Sequence, residues 1–153
     1  MISNSASFNK QLLRCRKVCL DSSCFIYKLE AHKDYFDITN LIFTYIEKGR
    51  IKGLTTTISV VETFVKPERL RRFDFIKKCE YLLKNFPNLE FFPVTFDLAR
   101  KAAKIRANTS FKTPDAIQLA LAVQEKTDAF ITNDQRLKSF KEVKVLVLKD
   151  FVK

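Results

Sequence analysis

Glycine is nearly absent from this sequence. Gly49 and Gly53 are the only two in 153 residues, and there are four prolines. That scarcity excludes a collagen-like chain and argues against a turn-rich all-β barrel, which needs such residues at its bends. Two glycines also leave no room for a Walker A loop or a dinucleotide-binding fingerprint. Histidine is represented once, by His32, so histidine-based general-base chemistry is unpromising. The four cysteines, Cys15, Cys19, Cys24 and Cys79, contain no C-x-x-C pair, and their spacing with His32 does not suit a closed zinc site. They read as free thiols in a reducing, cytoplasmic setting, partly as core filler. No apolar run approaches the roughly 20 residues of a membrane span. The first eight residues lack the apolar segment of a secretion signal.

The sequence does have enough apolar residues, 46%, for one sizeable core, and this is too many for a disordered tail. The length matches one domain. Lysine and arginine outnumber aspartate and glutamate 28 to 17, a net charge of +11. Such a surplus favours a polyanionic partner, nucleic acid first, then an acidic protein or an anionic membrane surface. A merely soluble basic surface is the plain alternative.

Hydrophobic patterning predicts alternating strands and helices. Residues 1–16 read as a polar, mobile lead-in, and residues 17–153 as the domain. Lys17–Leu20 is a short buried strand ending at Asp21. Ile38, Leu41, Ile42, Tyr45 and Ile46 recur at helical spacing, with Gly49 as a stop. Leu54–Val61 is β-branched and reads as a second strand, turning helical near Val60. After Pro67, Leu70, Phe73, Ile76, Leu83 and Phe86 mark an amphipathic helix. Arg69, Arg71, Arg72, Lys77, Lys78 and Lys84 give it a cationic outer face. Leu89–Val94 is a third strand, Asp97–Ala107 a helix, and Thr113–Lys126 another, with Thr113 as its cap and Pro114 in its first turn. Ala129–Ile131 and Val143–Leu148 complete the strands. The fold class is α/β, one domain with a mainly parallel sheet flanked by helices.

In open α/β sheets, sites lie beyond the carboxyl ends of the strands. Asp21 ends the first strand and Asp134 follows the fourth. Glu62 follows the second strand on a helix, and Asp115 lies in the first turn of the Thr113 helix. Each has an ordinary explanation: Asp21 and Asp134 as caps, Asp115 as a partner of a helix dipole, Glu62 as a solvated residue. Four acids converging on one edge of a basic protein are harder to explain singly. Clustered carboxylates repel unless a cation neutralises them. An oxygen-only set suits a hard ion, Mg²⁺ or Mn²⁺, which also binds phosphate oxygens and activates water.

These residues resemble those of PIN-domain ribonucleases, close to the VapC-type toxins of toxin–antitoxin pairs. The matching segments are Val18-Cys19-Leu20-Asp21-Ser22-Ser23 with Ile26-Tyr27, Ile58-Ser59-Val60-Val61-Glu62, Thr113-Pro114-Asp115-Ala116-Ile117-Gln118-Leu119-Ala120, and Ile131-Thr132-Asn133-Asp134-Gln135-Arg136-Leu137. They fall in the family's order over roughly residues 17–149. The resemblance implies a Rossmann-like PIN fold and a metal-dependent endoribonuclease that leaves 5′-phosphate and 3′-hydroxyl ends. It implies that Asp21, Glu62, Asp115 and Asp134 form the acidic quartet. Asp21 and Asp115 are the principal metal ligands, Asp134 binds or orients the metal, and Glu62 positions water or a second ion. Thr132 and Asn133 either bond the acids or the scissile phosphate, or cap the turn after the strand. Ser22 holds a water or caps the next helix. The longer N-terminal stretch and the lack of glycine depart from the family's usual pattern. Neither touches the quartet.

Arg106, Lys112 and Arg136, near Asp115 and Asp134 in sequence, are the candidates for RNA phosphate contacts, with ordinary surface charge as the alternative. Most of the 15 phenylalanines are expected in the core, with exposed aromatics stacking bases or forming a homodimer. The expected partners are therefore an RNA substrate, a cognate antitoxin protein and a second copy of the chain, with no membrane. The competing reading is a catalytically silent PIN-like domain that binds RNA or protein. Retention of all four acids argues against it. Asp21 is followed by Ser22 and Ser23 rather than an Asp-x-Asp motif, which disfavours a haloacid-dehalogenase-like phosphatase.

Overall fold

The computed structural model describes residues 4–153. In chain order these are α1 (Asn4–Leu12), β1 (Lys17–Leu20), α2 (Ser22–Leu29), α3 (Phe36–Glu47), β2 (Lys52–Thr56), α4 (Ile58–Arg69), α5 (Phe73–Lys84), β3 (Leu89–Phe92), α6 (Phe96–Ala107), α7 (Thr113–Gln124), β4 (Ala129–Thr132) and β5 (Val145–Val147). Short 3-10 turns cover Gln135–Ser139 and Leu148–Phe151. The five strands form one sheet in the order β3-β2-β1-β4-β5, and every pairing is parallel.

Parallel strands joined through helices carry those helices on both faces of the sheet, so the central strands are apolar on both sides. Val18 and Leu20 of β1, with Ala129 and Ile131 of β4, pack with α1, α2 and α3. The alternate residues, Cys19 and Phe130, pack with α6 and α7. The two-residue period of the strands thus divides the core into two layers. Gly53 admits the close packing of α3 on β2: a Cβ there would lie 2.6 Å from Ile46 Cδ1. Gly49 follows the end of α3 at φ +70°, a conformation that other residues adopt only with strain.

Several boundaries differ from the sequence reading. Most of the lead-in is the helix α1, whose Phe8 and Leu12 are fully buried. Phe8 packs on Phe151 with ring centroids 5.0 Å apart. Residues 1–3 of the expected lead-in lie outside the described residues. Strand β2 stops at Thr56, because Thr57 already caps α4. Helix α4 continues through Pro67 to Arg69, so the cationic helix begins only at Phe73, after Arg71 turns the chain at φ 52°. Leu70 and Phe73, expected on its buried face, are exposed. Strands β3 and β5 are shorter than expected. Lys112, not Thr113, precedes the first turn of α7, and Thr113 makes no capping bond.

Candidate active site

Parallel pairing places the ends of β1, β2 and β4 at one edge of the sheet. Asp21 leaves β1 there as the N-cap of α2, and its Oδ1 accepts the Ser22 backbone N–H at 2.8 Å. Its backbone N–H donates to Ile131 of β4 at 2.9 Å, so the residue is bound to both strands. Thr132, at the end of β4 and fully buried, donates its hydroxyl to Asp21 Oδ2 at 2.7 Å. The same hydroxyl oxygen accepts the Asp134 backbone N–H at 3.1 Å. One threonine therefore orients one acid and the backbone of another.

Glu62 stands in the second turn of α4, and Asp115 in the first turn of α7. The Ser22 hydroxyl lies between Asp21 and Glu62. It is 3.4 Å from Asp21 Oδ1, and its polarity favours the ionised form of Glu62. Burial pushes the Glu62 carboxyl up, and the charges of Asp21 and Asp115 add to that. Asp21 is raised by its burial and then by Asp134, against the lowering effect of the Thr132 and Ser22 bonds. Asp115 is pushed up to about 6 by burial and by the charges of Asp21 and Asp134. A carboxylate at a helix N-terminus normally gains from the dipole. Here burial and neighbouring carboxylates outweigh it. The acidic quartet expected from the sequence is thus one electrostatically coupled group.

Asp134 behaves differently. It caps the 3-10 turn after β4, with its Oδ1 accepting the Arg136 backbone N–H at 3.0 Å. The Arg136 guanidinium chelates both carboxylate oxygens, Nε lying 3.0 and 3.1 Å away and the terminal nitrogen closer still. That pairing holds Asp134 below the usual carboxylate range. Lys112 also lowers both Asp115 and Asp134, so two cations, Arg136 and Lys112, stand beside the acids. Arg106 instead donates to the Thr113 hydroxyl at 2.6 Å, at the start of α7. Asn133 faces away from the acids: its amide donates to the Tyr27 hydroxyl at 3.0 Å and accepts the Lys149 N–H at 2.8 Å. It ties the loop after β4 to α2 and to the C-terminal turn.

The donor set is all oxygen, and burial, with the repulsion of neighbouring carboxylates added to it, raises three of its four carboxyls. This is the chemistry of a site that gains by taking up a hard cation. Among the described residues, no three His, Cys, Asp or Glu side chains are already gathered as a metal cage. Arg136 keeps the fourth acid, Asp134, engaged. Mg²⁺ also keeps several waters and takes only one or two carboxylates directly.

Sequence reasoning gave no role to Gln118, the lone polar residue between Asp115 and Gln124 in α7. Its polarity within an apolar run was the available signal. An apolar groove of about 540 Å³ lies elsewhere, between α4 and α5, lined by Val61, Phe64, Val65, Ile76 and Leu83. Val61, directly before Glu62, is 63% exposed there. All four cysteines are unpaired and buried. No helix among the described residues is long and apolar enough to cross a membrane.

The profile of the PIN domain matches residues 18–144. No curated protein matches the chain. Among solved structures, a toxin–antitoxin complex from Klebsiella pneumoniae contains a chain 15% identical, aligned over 86% of this chain and 97% of that one at a TM-score of 0.66. A chain of VapBC2 from Rickettsia felis, solved bound to a DNA fragment from its promoter, is 12% identical. It aligns over 86% of this chain and 98% of that one, also at 0.66.

Proposed function

The chain belongs to the PIN-domain family, and from that premise we propose that it is a divalent-cation-dependent endoribonuclease of the VapC toxin type. The observation that carries this reading is the coupled quartet of Asp21, Glu62, Asp115 and Asp134 at the carboxyl edge of the sheet, within a protein of net charge +11. Asp21 and Asp115 would hold Mg²⁺ or Mn²⁺, with Asp134 completing the set once Arg136 releases it. When bound, the cation supplies a Lewis acid that lowers the pKa of water and offsets the phosphodiester charge.

The protein's own residues do the rest. Thr132 keeps the Asp21 carboxylate turned toward the site and fixes the backbone of Asp134. Ser22 lies against Asp21 and favours the ionised form of Glu62, which would orient the attacking water. Lys112 and Arg136 meet the phosphates of the strand, and Arg106, near the end of α6, stands beside them at the start of α7. Hydrolysis in this arrangement leaves 5′-phosphate and 3′-hydroxyl ends.

The test is cleavage of a mixed RNA pool with and without Mg²⁺ or Mn²⁺, comparing wild type with Asp21→Asn and Asp115→Asn. Metal-dependent cleavage lost in both folded variants is the expected result. Equal trace cleavage in all three would put the silent binding domain ahead.

An antitoxin-type partner and a homodimer belong to the same reading. Both solved neighbours come from toxin–antitoxin assemblies, and the α4–α5 groove offers such a partner an apolar seat beside Glu62. The exposed Phe96, at 86%, is available for self-association. Sedimentation of the pure chain separates a dimer from a monomer. The reading also places the protein in the cytoplasm, where its RNA substrates are.

A further inference from the structure

Beneath the four acids lies a buried polar network that the reaction does not consume. Gln118, Thr55 and Thr56 are 0% exposed, and Ser59 is equally enclosed. The Gln118 amide nitrogen donates to Ser59 Oγ across the gap between α7 and α4. The Ser59 and Thr55 hydroxyls bond each other at 2.6 Å, and Thr55 donates on to the Leu20 carbonyl at 2.9 Å. At its other end, Gln118 Oε1 accepts the Thr56 backbone N–H at 3.2 Å and the Thr56 hydroxyl at 3.1 Å.

Each end of this chain is one step from the site. Gln118 stands three residues after Asp115, on the same face of α7, and Ser59 three residues before Glu62, on the same face of α4. Leu20 directly precedes Asp21. The two helices share little other contact. Buried polar groups cost free energy unless paired, and each side-chain polar atom of this network has a partner where an apolar side chain would have filled the space. Asp115 and Glu62 carry like charge, so their separation has to be imposed by something other than their own attraction.

We propose that Gln118 and Ser59 are positioning residues: their hydrogen bond fixes α7 against α4 and so sets the spacing of Asp115, Glu62 and Asp21 for cation binding. The proposal rests on the metal-dependent reading of the site.

The test uses the full chain as wild type, Gln118→Met, Ser59→Ala and the double variant. Mn²⁺ affinity is measured by calorimetry, thermal unfolding is followed without metal, and kcat and KM are determined separately. Each single variant strands a buried partner and unfolds at lower temperature. The double variant removes both partners of the Gln118–Ser59 bond and regains the share of the loss due to that bond, while the share due to Thr56, left without Gln118 Oε1, remains. Its Mn²⁺ affinity nevertheless stays about tenfold below wild type, the lower end for residues that orient ligands, and kcat falls more than KM. A double variant with wild-type Mn²⁺ affinity and kcat overturns the proposal, leaving the network a purely structural one. Should the double variant not fold, Ser59→Ala decides by the same readings: a weakened Mn²⁺ affinity supports the proposal and an unchanged one overturns it. A wild type that binds no Mn²⁺ removes the metal reading and this proposal together, whereas binding by wild type and variants alike removes only the proposal.

Discussion

Helices α5 and α7 are both twelve residues long, and they meet the rest of the protein in opposite ways. Seven consecutive residues of α7, Ala116–Ala122, are buried, whereas α5 buries only Cys79 and Leu83. Helix α7 is apolar nearly all round, as a helix enclosed by sheet and neighbours must be. Its first turn alone reaches the site, and Asp115 is there. Helix α5 rests on a narrow stripe and turns Lys77, Lys78 and Glu80 to solvent. A carboxylate that is to hold a cation needs a backbone that cannot drift, and α7 gives Asp115 one. An outer helix on a narrow contact is free to serve a partner or nothing at all.

Stability is where this contrast has its largest effect. Leu119→Ala or Leu121→Ala, at fully buried positions of α7, should cost about 2–5 kcal/mol. On α5, Phe73 is 60% and Tyr81 73% exposed, and their replacement by alanine should stay within about 0.5 kcal/mol. Urea unfolding reads both. A large loss at Phe73 would mean that α5 is covered by another molecule in solution and that the contrast is one of assembly.

Next in size is Thr132→Val, which keeps the shape but removes the hydroxyl that serves Asp21 and the Asp134 N–H. The expected cost is about 1–3 kcal/mol, because buried partners are left unpaired. Asp21 should also become harder to ionise, since the Thr132 bond is the foremost of those that oppose its burial. A carboxyl titration followed by NMR that leaves Asp21 unmoved would deny Thr132 its orienting role.

The parts of the molecule that carry α7 and the acids were also the parts legible in sequence. The apolar runs of β1 and β4 ending in Asp21 and Thr132-Asn133-Asp134 place the sheet edge, and the PIN resemblance brings Glu62 and Asp115 to it. What stayed hidden depends on contacts between distant residues. Phe8 and Leu12 sit in a polar stretch, and their burial depends on α3 and Phe151, at the far end of the sequence. In sequence the next helix is read as following Pro67, yet Pro67 lies in the last turns of α4, where the chain goes on to Arg69. Gln118 is conspicuous as a polar residue in an apolar helix, but its partners Ser59 and Thr56 come from across the core. Asn133 stands beside Asp134 in sequence while its bonds go to Tyr27 and Lys149.

A smaller effect separates the acids themselves. Asp115, raised to about 6 by burial and by Asp21 and Asp134, binds its proton more tightly folded than unfolded. Its contribution to stability therefore falls as pH rises from the ordinary aspartate value of about 4 to its folded value, and the penalty is complete above that. Asp134 has the opposite sign. Held low by Arg136, it stabilises the fold above the ordinary value and loses that contribution as pH falls through its depressed one. Asp115→Asn should flatten the decline in unfolding free energy between about pH 4 and 6 and leave the variant more stable than wild type at neutral pH. A decline unchanged in the variant would assign it to Glu62 or Asp21.

The smallest effect concerns surface charge, and it returns to α5. If RNA runs along the carboxyl edge of the sheet, Lys112 and Arg136 meet its phosphates, and the cations of α5 do not. Counterion release makes log affinity fall with log salt in proportion to the phosphates neutralised. Lys112→Ala or Arg136→Ala should each reduce that slope by about one. Arg136→Ala also frees Asp134 from its guanidinium, so its carboxyl should rise toward the ordinary value while the fold is scarcely affected. Lys77→Ala and Lys78→Ala should leave the slope as it is. RNA binding measured from low to moderate salt on Asp21→Asn protein, which the proposed function expects to be inactive, keeps cleavage out of the reading. A slope that drops for the α5 lysines as well would extend the nucleic-acid path over the outer helix, making α5 an RNA surface rather than a partner's.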